Sequence, residues 1–284
     1  MGHVDHGKTT FLDSIRGARI AEKEHGGITQ NTRAHEVITK SGFKITFIDT
    51  PGHEAFANMR QRGARVTDFV LLVVAADDGV QPQTKQSIEF AKENKVPIIV
   101  GINKVDIDGV KIEKIKKELS GYGVMIEEYG GDVMCFEMSA TKKIGLEAVL
   151  EGIELMAEVN ELKPTQPKEG VIAEAFVMES SLDKKIGHSA LAILKAGELN
   201  ERIIGVTKDS LFKARAYLNE EMKGIDNIYQ SQPFYITGLK DDIATGEIIN
   251  FVTDEKIAKE LQESLQTGEI VEDKPVELPD DIDA

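Results

Sequence analysis

Short apolar runs alternate with amphipathic stretches along roughly the first 160 residues of the chain. The apolar runs are strand-length and end at glycine, proline or aspartate, which predicts β-strands at Phe43–Ile48, Phe69–Ala76, Val96–Ile102 and Val133–Met138. Apolar residues at three- and four-residue spacing predict helices at Gln83–Asn94, Val110–Leu119 and Leu146–Val159. This alternation predicts an α/β fold, a doubly wound and mostly parallel sheet with helices on its faces.

The pattern changes after a polar linker with two prolines at 161–170. From 171 to 253, short alternating runs separated by glycines predict a small β-barrel. Residues 254–266 carry one apolar helical face and begin with Asp254, a residue type favoured at helix N-caps. Residues 267–284 are acidic, which predicts a disordered tail. We therefore expect an α/β domain at 1–160 and a barrel domain at 171–253.

Composition narrows the class of protein. The chain has 34 Lys and Arg residues against 49 Asp and Glu residues, a net charge of −15. This balance argues against a protein that coats nucleic acid by basicity, although a local patch can still contact RNA. The single cysteine, Cys135, fits a reducing compartment, and neither a secretory leader nor a membrane-length apolar run is visible. We expect a soluble cytoplasmic protein without a membrane partner; the matrix of an organelle is an open alternative.

The first nine residues contain the phosphate-binding pattern G-x(4)-G-K-[ST]. Its glycines let backbone N–H groups turn towards a β-phosphate, and Lys8 would lie between the β- and γ-phosphates. The helix that starts near Lys8 directs the positive end of its dipole at the same anion. A zinc pair made by His3 and His6 is a weaker interpretation, because no third ligand is near. The predicted nucleotide-binding residues here are Gly2, Asp5, His6, Gly7, Lys8, Thr9 and Thr10.

Three further motifs each follow a predicted strand at its carboxyl end, where the ligand crevice of an open α/β sheet lies. In Asp49-Thr-Pro-Gly52, Asp49 suits Mg²⁺ binding through water, and the Gly52 N–H can sense a γ-phosphate. The Thr9 hydroxyl would ligate the same Mg²⁺ ion. The alternative for a lone D-x-x-G motif is a β-turn after a strand.

The other two motifs point to guanine. In the segment Asn103-Lys104-Val-Asp106, the carboxylate of Asp106 can accept hydrogen bonds from guanine N1–H and the exocyclic amino group, a donor pair that adenine lacks. Ser139 and Ala140 would support the base with a backbone N–H. In order and together, the four motifs predict a P-loop GTPase domain that binds GTP or GDP with Mg²⁺.

These motifs resemble those of the translational GTPases and, among them, of bacterial-type translation initiation factor two. The phosphate loop in the form G-H-V-D-H-G-K-T-T is common to translational GTPases. The segments that are similar to initiation factor two are Gly26–Gln30, Val74–Thr84, Glu127–Asp132, Lys213–Ala216 and Gly238–Leu261. The resemblance covers residues 2–261 and is stronger in the first half.

The resemblance implies further roles. Thr29 would close on Mg²⁺ when the γ-phosphate is present, and His53 would position the attacking water. Val4 and Ile28 would form the apolar gate through which His53 reaches that water. The implied partners are both ribosomal subunits, with the barrel on small-subunit ribosomal RNA. Initiator tRNA would bind only through C-terminal domains that this sequence does not contain.

The chain also departs from this family. An apolar strand of about six residues is expected directly before the phosphate loop, and Met1 stands where it would end. We expect its two neighbours, Phe43–Ile48 and Phe69–Ala76, to expose edges, and we interpret the sequence as a fragment or a reduced version. Two alternatives stay open: a non-catalytic fragment with an incomplete nucleotide site, and an elongation-type or selenocysteine-specific GTPase.

Overall fold

The computed structural model describes residues 1–16, 33–49, 67–183, 186–201 and 203–267. They form two compact units, and the chain passes from the first to the second between Thr165 and Gln166. The domain limits predicted at 160, 171 and 253 stay predictions.

The first unit is an α/β structure. Its helices are α1 (Lys8–Arg16), α2 (Pro82–Glu93), α3 (Ile112–Gly121) and α4 (Leu146–Val159). Its strands are β1 (Arg33–Ile38), β2 (Lys44–Asp49), β3 (Val70–Ala75), β4 (Ile98–Asn103) and β5 (Cys135–Glu137). Helix α4 has the predicted bounds, and the other predicted elements are found within a few residues of theirs. Strand β1 is an element that the sequence pattern did not predict.

Strands β3, β4 and β5 form a parallel sheet in that order. All six residues of β4 are buried, as expected for a strand covered on both faces. Leu72 and Val74 pack into a core layer with residues of α2 and α3, whereas Val73 packs into a second layer with residues of α1 and α4. The alternation of side chains along β3 therefore covers both faces of the sheet, which confirms the predicted α/β architecture.

Strands β1 and β2 pair antiparallel in a sheet of their own. Ile45 of β2 packs into the core layer that contains Val73 of β3. The Ser41 hydroxyl in the β1–β2 turn contacts both carboxylate oxygens of Glu154 on α4 at 2.8 Å. This contact therefore holds the β1–β2 hairpin against α4.

Met1 lies along the edge of β3. Its amino group donates to the Leu71 carbonyl oxygen at 2.8 Å, and its own carbonyl oxygen accepts from the Val73 N–H at 2.9 Å. This is the hydrogen-bond pattern of a residue in a parallel strand. The residues that follow Met1 therefore reach the carboxyl end of β3.

The second unit is an antiparallel β-structure followed by a helix. Its strands are β6 (Ala173–Asp183), β7 (Gly187–Gly197), β8 (Ile204–Val206), β9 (Leu211–Lys213), β10 (Ala216–Leu218), β11 (Pro233–Leu239) and β12 (Ile248–Val252). They form one sheet in the order β10-β11-β7-β6-β12-β8-β9. Phe212 of β9 and Tyr217 of β10, on the two edge strands, share one apolar core. The sheet therefore curls around that core as a half-barrel, in agreement with the predicted barrel.

Helix α5 (Glu255–Thr267) closes the described part of this unit. The Asp254 carboxylate accepts from the N–H groups of Lys256 at 2.7 Å and Ile257 at 3.2 Å, which confirms the predicted N-cap. Ala258, Leu261 and Leu265 pack against an apolar cluster of the β-structure. None of the helices in the described ranges is long and apolar enough to cross a bilayer.

Candidate functional site

The phosphate loop and the two guanine motifs meet at the carboxyl edge of the parallel sheet, whereas the motif of Asp49 follows β2 in the separate two-stranded sheet. Ala75 at the end of β3 lies opposite Asn103 at the end of β4, and Ile102 lies opposite Glu137 at the end of β5. The loops that follow these strands therefore leave the sheet side by side, as the strand-end argument predicted.

Two glycines let the phosphate loop approach its neighbours. Gly2 has φ +136°, and a Cβ there would lie 2.2 Å from the Val73 carbonyl oxygen. Gly7 has φ +86°, and a Cβ there would lie 2.2 Å from Nδ2 of Asn103. Both positions combine a backbone conformation unfavourable to other residues with no room for a side chain. The glycines of the predicted pattern are thus required by this geometry.

Lys8 is the first residue of α1 and a partly buried cation. The Gly7 carbonyl oxygen accepts the Phe11 N–H at 2.8 Å, so the helix starts directly at the loop. The Lys8 ammonium donates to the His3 carbonyl oxygen at 2.5 Å. Burial lowers the pKa of Lys8, and the charges of Asp49 and Asp5 oppose that shift. A partly buried ammonium beside a helix N-terminus suits a polyanion such as the phosphates of a nucleotide.

The two predicted Mg²⁺ ligands that lie within the described ranges are adjacent. The Thr9 hydroxyl donates to Oδ2 of Asp49 at 3.3 Å, although the two residues are 40 positions apart. Asp49 is buried at the end of β2. A hydroxyl and a carboxylate are oxygen ligands of the kind that Mg²⁺ prefers, so the residues fit the ion. Thr29, the third predicted ligand, is outside the described residues.

Asn103 joins the guanine motif to two other motifs. Its Nδ2 donates to the His6 carbonyl oxygen at 2.9 Å, and its Oδ1 accepts from the Ala140 N–H at 2.9 Å. The Ser139 N–H donates to the Ile144 carbonyl oxygen at 3.0 Å. In this structure the Ala140 N–H therefore holds the Asn103 side chain, whereas the Ser139 N–H is used within the turn that ends at Ile144. Their predicted direct support of the base stays a prediction.

The rest of the guanine motif lies at the surface. Lys104 has φ +64°, and its ammonium pairs with Oδ2 of Asp77 at 3.2 Å. Asp106 is exposed two residues further on, where its carboxylate is accessible to a base. In this motif Asn103 is therefore buried and holds the loops together, whereas the Asp106 carboxylate is accessible.

The remaining predicted residues are placed as follows. Val4 and Asp5 are exposed in the phosphate loop, and Thr10 is half-buried on α1. The buried His6 side chain contacts the Val73 carbonyl oxygen and Asp78. Four predicted residues lie outside the described ranges: Ile28, Thr29, Gly52 and His53. Within the described ranges no group of three or more His, Cys, Asp or Glu side chains could hold a metal. The zinc alternative for His3 and His6 stays the weaker interpretation.

Sequence reasoning missed two acidic residues of this edge. Asp77 and Asp78 lie two and three residues beyond the end of β3, while Asp49 is the last residue of β2 and Asn103 the last of β4. The strand-end argument that selected Asp49 and Asn103 applies equally to Asp77 and Asp78 and could have identified them.

Comparison with known proteins now places the chain in a class. The model of the elongation factor Tu GTP-binding domain matches residues 1–160, and the model of elongation factor G domain 2 matches residues 172–252. The first match covers more than half of the chain. The fold is therefore that of a translational GTPase, and the chain belongs to the family of the elongation factor Tu GTP-binding domain.

Individual relatives refine this class. The chain is 46% identical over 268 residues to translation initiation factor IF-2 of Halothermothrix orenii, and 45% identical over 268 residues to that of Carboxydothermus hydrogenoformans. These alignments cover 93% and 94% of this chain but 38% and 32% of the two relatives. The chain thus spans about a third of the length of these factors. The predicted resemblance to initiation factor two is confirmed.

Two solved structures are similar in fold. The crystal structure of GDP-bound aIF5B from Aeropyrum pernix has a TM-score of 0.74 at 26% identity, covering 95% of this chain and 56% of that one. The bacterial selenocysteine-specific elongation factor EF-Sec has a TM-score of 0.67 at 21% identity, covering 88% of this chain and 44% of that one. The second likeness concerns the fold alone.

Proposed function

We propose that this chain binds GTP and hydrolyses it to GDP and phosphate as the GTPase module of a translation initiation factor. In the full-length protein the module would promote initiator tRNA binding and the joining of ribosomal subunits. The observation that carries the proposal is a pair of hydrogen bonds made by the Asn103 side chain. One goes to the His6 carbonyl oxygen in the phosphate loop and the other comes from the Ala140 N–H. These contacts support a single site that would bind both the phosphates and the base.

Each part of the nucleotide has a proposed set of residues. Lys8 and the backbone N–H groups of the glycine-rich loop would hold the β- and γ-phosphates. Thr9, Thr29 and Asp49 would hold Mg²⁺, which neutralises charge on the phosphates when it is bound. Asp106 would accept hydrogen bonds from guanine.

The hydrolytic step is proposed for residues that, apart from Val4, lie outside the described ranges. His53 would position the attacking water, with Val4 and Ile28 as its apolar gate, while Thr29 and Gly52 would change position with loss of the γ-phosphate. We expect the ribosome to stimulate turnover. His53→Ala should keep GTP affinity and lose ribosome-stimulated turnover, which single-turnover hydrolysis with and without ribosomes measures. Wild-type turnover in this variant would remove His53 from the mechanism.

The proposed partners follow from the relatives. Residues 171–253 would contact small-subunit ribosomal RNA, and the large subunit would act on the GTPase unit. Initiator tRNA would bind through domains beyond the part of the relatives that this chain matches. The proposed place of action is the cytoplasm, where translation factors meet ribosomes.

The test is calorimetric titration of the 284-residue chain with GDP, GTP and ATP in the presence of Mg²⁺. We expect one guanine-selective site per chain and no heat with ATP. Asp106→Asn should lower GTP affinity at least about tenfold and raise affinity for xanthosine triphosphate, because the amide can donate to the C2 carbonyl of xanthine. Asp108→Asn, two residues away on the same exposed loop, is the matched control and should bind GTP as the wild type does. Equal heats with ATP and GTP would refute the proposal.

A further inference from the structure

The segment that joins β3 to α2 contacts the phosphate loop at two points. The Val4 N–H donates to Oε1 of Gln83 at 3.0 Å, and Nε2 of His6 lies 3.1 Å from Oδ2 of Asp78. Gln83 and Asp78 are 79 and 72 residues away from their partners in the sequence. Neither residue has a role in the nucleotide contacts proposed above.

Asp78 is held in the orientation that this contact needs. Nε2 of Gln81 donates to Oδ1 of Asp78 at 2.7 Å and to the Asp78 carbonyl oxygen at 3.1 Å. The other carboxylate oxygen, Oδ2, faces His6. The Asp78 side chain is 46% exposed and the His6 side chain is 1% exposed, so the contact spans the boundary between solvent and interior.

The ring of His6 faces an acceptor at each nitrogen. Its Nδ1 lies 3.3 Å from the Val73 carbonyl oxygen, and its Nε2 faces Asp78. A neutral imidazole carries one N–H donor and an imidazolium carries two, so only the protonated ring satisfies both acceptors. Burial lowers the pKa of His6, and the hydrogen bond to Asp78 opposes that shift. Among the described residues, the other titratable group that faces the ring is His3, whose ring centroid is 5.2 Å away and which lowers the pKa of His6 further.

Fixing the His6 ring also fixes the loop backbone. His6 lies between Asp5, with φ +60°, and Gly7, with φ +86°, and its carbonyl oxygen accepts from Asn103. A ring anchored on β3 and on Asp78 restricts rotation of the peptide units on either side. Their N–H groups are those that the proposed function assigns to the phosphates.

We infer that Asp78 and Gln83 are positioning residues, which hold the phosphate loop in its anion-binding conformation through His6 and Val4. This inference rests on the proposed function, because it concerns binding of nucleotide phosphates by that loop. A phosphate loop that already has its binding conformation loses less conformational entropy when the nucleotide binds. The contacts of Val4 and His6 lie at the two ends of the loop segment Val4–His6, so loss of either contact loosens the phosphate loop.

The variants are chosen so that each contact is tested alone. Asp78→Ala removes the acceptor for His6, and Gln83→Leu removes the acceptor for the Val4 N–H while keeping most of the side-chain volume. Each should weaken GDP and GTP binding about tenfold in calorimetric titration of the full chain. Glu89→Ala, which removes an exposed carboxylate of α2, is the matched control and should bind as the wild type does.

The Asp78→Asn variant distinguishes a role of Asp78 in positioning the phosphate loop from a general effect on protein stability. The amide can donate to Nε2 of a neutral His6 ring, whereas the natural carboxylate prefers the protonated ring. We expect Asp78→Asn to restore affinity at about pH 8, where the ring is neutral, and to lose it as the pH falls through the titration of the His6 ring, a change of at least threefold relative to the wild type. A purely structural role would shift thermal stability without this pH-dependent rescue. If Asp78→Ala fails to fold, Asp78→Asn and Gln83→Leu still decide the question.

Nitrogen NMR of the His6 ring provides a readout without nucleotide. Asp78→Ala should lower the pH at which His6 titrates, because the hydrogen bond to Asp78 raises its pKa. A wild-type chain that binds guanine nucleotide, with Asp78→Ala and Gln83→Leu variants that bind equally tightly, would overturn this inference alone. A wild-type chain that binds no guanine nucleotide would overturn the proposed function and this inference together.

Discussion

The Thr9 hydroxyl lies 3.3 Å from Oδ2 of Asp49, which joins the start of α1 to the end of β2. If this pair forms part of a Mg²⁺ site, removal of the hydroxyl should remove the Mg²⁺-dependent part of GTP affinity. We expect Thr9→Val to weaken GTP binding at least about tenfold in saturating Mg²⁺, equivalent to ~1.4 kcal/mol. Titration at several free Mg²⁺ concentrations measures the effect.

The control for this experiment is Thr9→Ser, which keeps the hydroxyl and should keep most of the affinity. With Mg²⁺ chelated by EDTA, the wild type and Thr9→Val should bind GTP equally weakly. If the ratio of wild-type to Thr9→Val affinity for GTP were the same with and without Mg²⁺, a role of Thr9 in metal binding would be contradicted.

Gly7 allows a second test because a matched glycine exists in the same unit. Gly7→Ala would place a Cβ 2.2 Å from Nδ2 of Asn103, at a φ of +86°. Gly42 has a similar φ of +88° but nothing within 4 Å of its Cβ position. Both variants should lose about 1 kcal/mol of unfolding free energy from backbone strain. Gly7→Ala should in addition displace Asn103 and weaken guanine nucleotide binding at least about tenfold.

The measurements for this pair are urea denaturation and nucleotide titration of both variants. Gly42→Ala should bind nucleotide within about twofold of the wild type. If both variants bind equally well, the contact between Gly7 and Asn103 does not matter for the site.

Local sequence patterns were sufficient for the central elements of the fold. Strands β3 and β4 are continuous apolar runs, which is the pattern of strands covered on both faces, and α4 shows an apolar helical face over its whole length. Strand β1 was not predicted because Arg33, His35 and Glu36 interrupt its apolar positions. It becomes a strand through pairing with β2, where Arg33 lies opposite Asp49, and no local pattern encodes that pairing.

The motifs of the site could be predicted, but the contacts that hold them together could not. Lys8, Asn103 and Asp106 belong to spacings that phosphate and guanine chemistry require. The contacts of His6 with Val73 and Asp78 join residues 67 and 72 positions apart. Such contacts depend on which strand lies beside the phosphate loop, and strand–helix alternation leaves the order of strands open.

Cys135 gives a prediction about pH. Burial raises the pKa of its thiol to about 12; the Lys116 ammonium opposes this shift, and nearby glutamates such as Glu128 reinforce it. The thiolate is the reactive form, so its population at pH 8 should be about a thousandfold lower than that of an ordinary thiol. Alkylation by iodoacetamide should therefore be at least about a hundredfold slower in the folded chain than in urea.

The same shift affects stability at high pH. The unfolded chain loses the Cys135 proton near pH 9 and the folded chain near pH 12, so the unfolding free energy should fall as the pH rises between these values. Cys135→Ala should lack this slope in urea denaturation at increasing pH. Equal alkylation rates in folded and unfolded chains would show that the thiol is not protected by burial.

Lys8 should affect stability and binding in opposite directions. Burial lowers its pKa, which means that the folded chain holds the Lys8 proton less tightly than the unfolded chain does. The charged side chain therefore opposes folding at every pH below that lowered pKa, and the opposition is relieved as the pH rises towards 10.5. Lys8→Met keeps the length and removes the charge. Its unfolding free energy at pH 7 should be equal to or higher than that of the wild type.

In contrast to its effect on stability, Lys8→Met should weaken GTP binding. Hydrogen bonds from an ammonium to phosphate contribute about 1.5–3 kcal/mol, so Lys8→Met should weaken GTP binding roughly 10- to 100-fold. Urea denaturation and the thermal shift produced by saturating GTP measure the two effects on the same sample. Lys117→Met, on the exposed side of α3, controls for loss of a lysine and should change neither quantity. If Lys8→Met instead loses stability and keeps its GTP affinity, the Lys8 ammonium supports the fold rather than the phosphates.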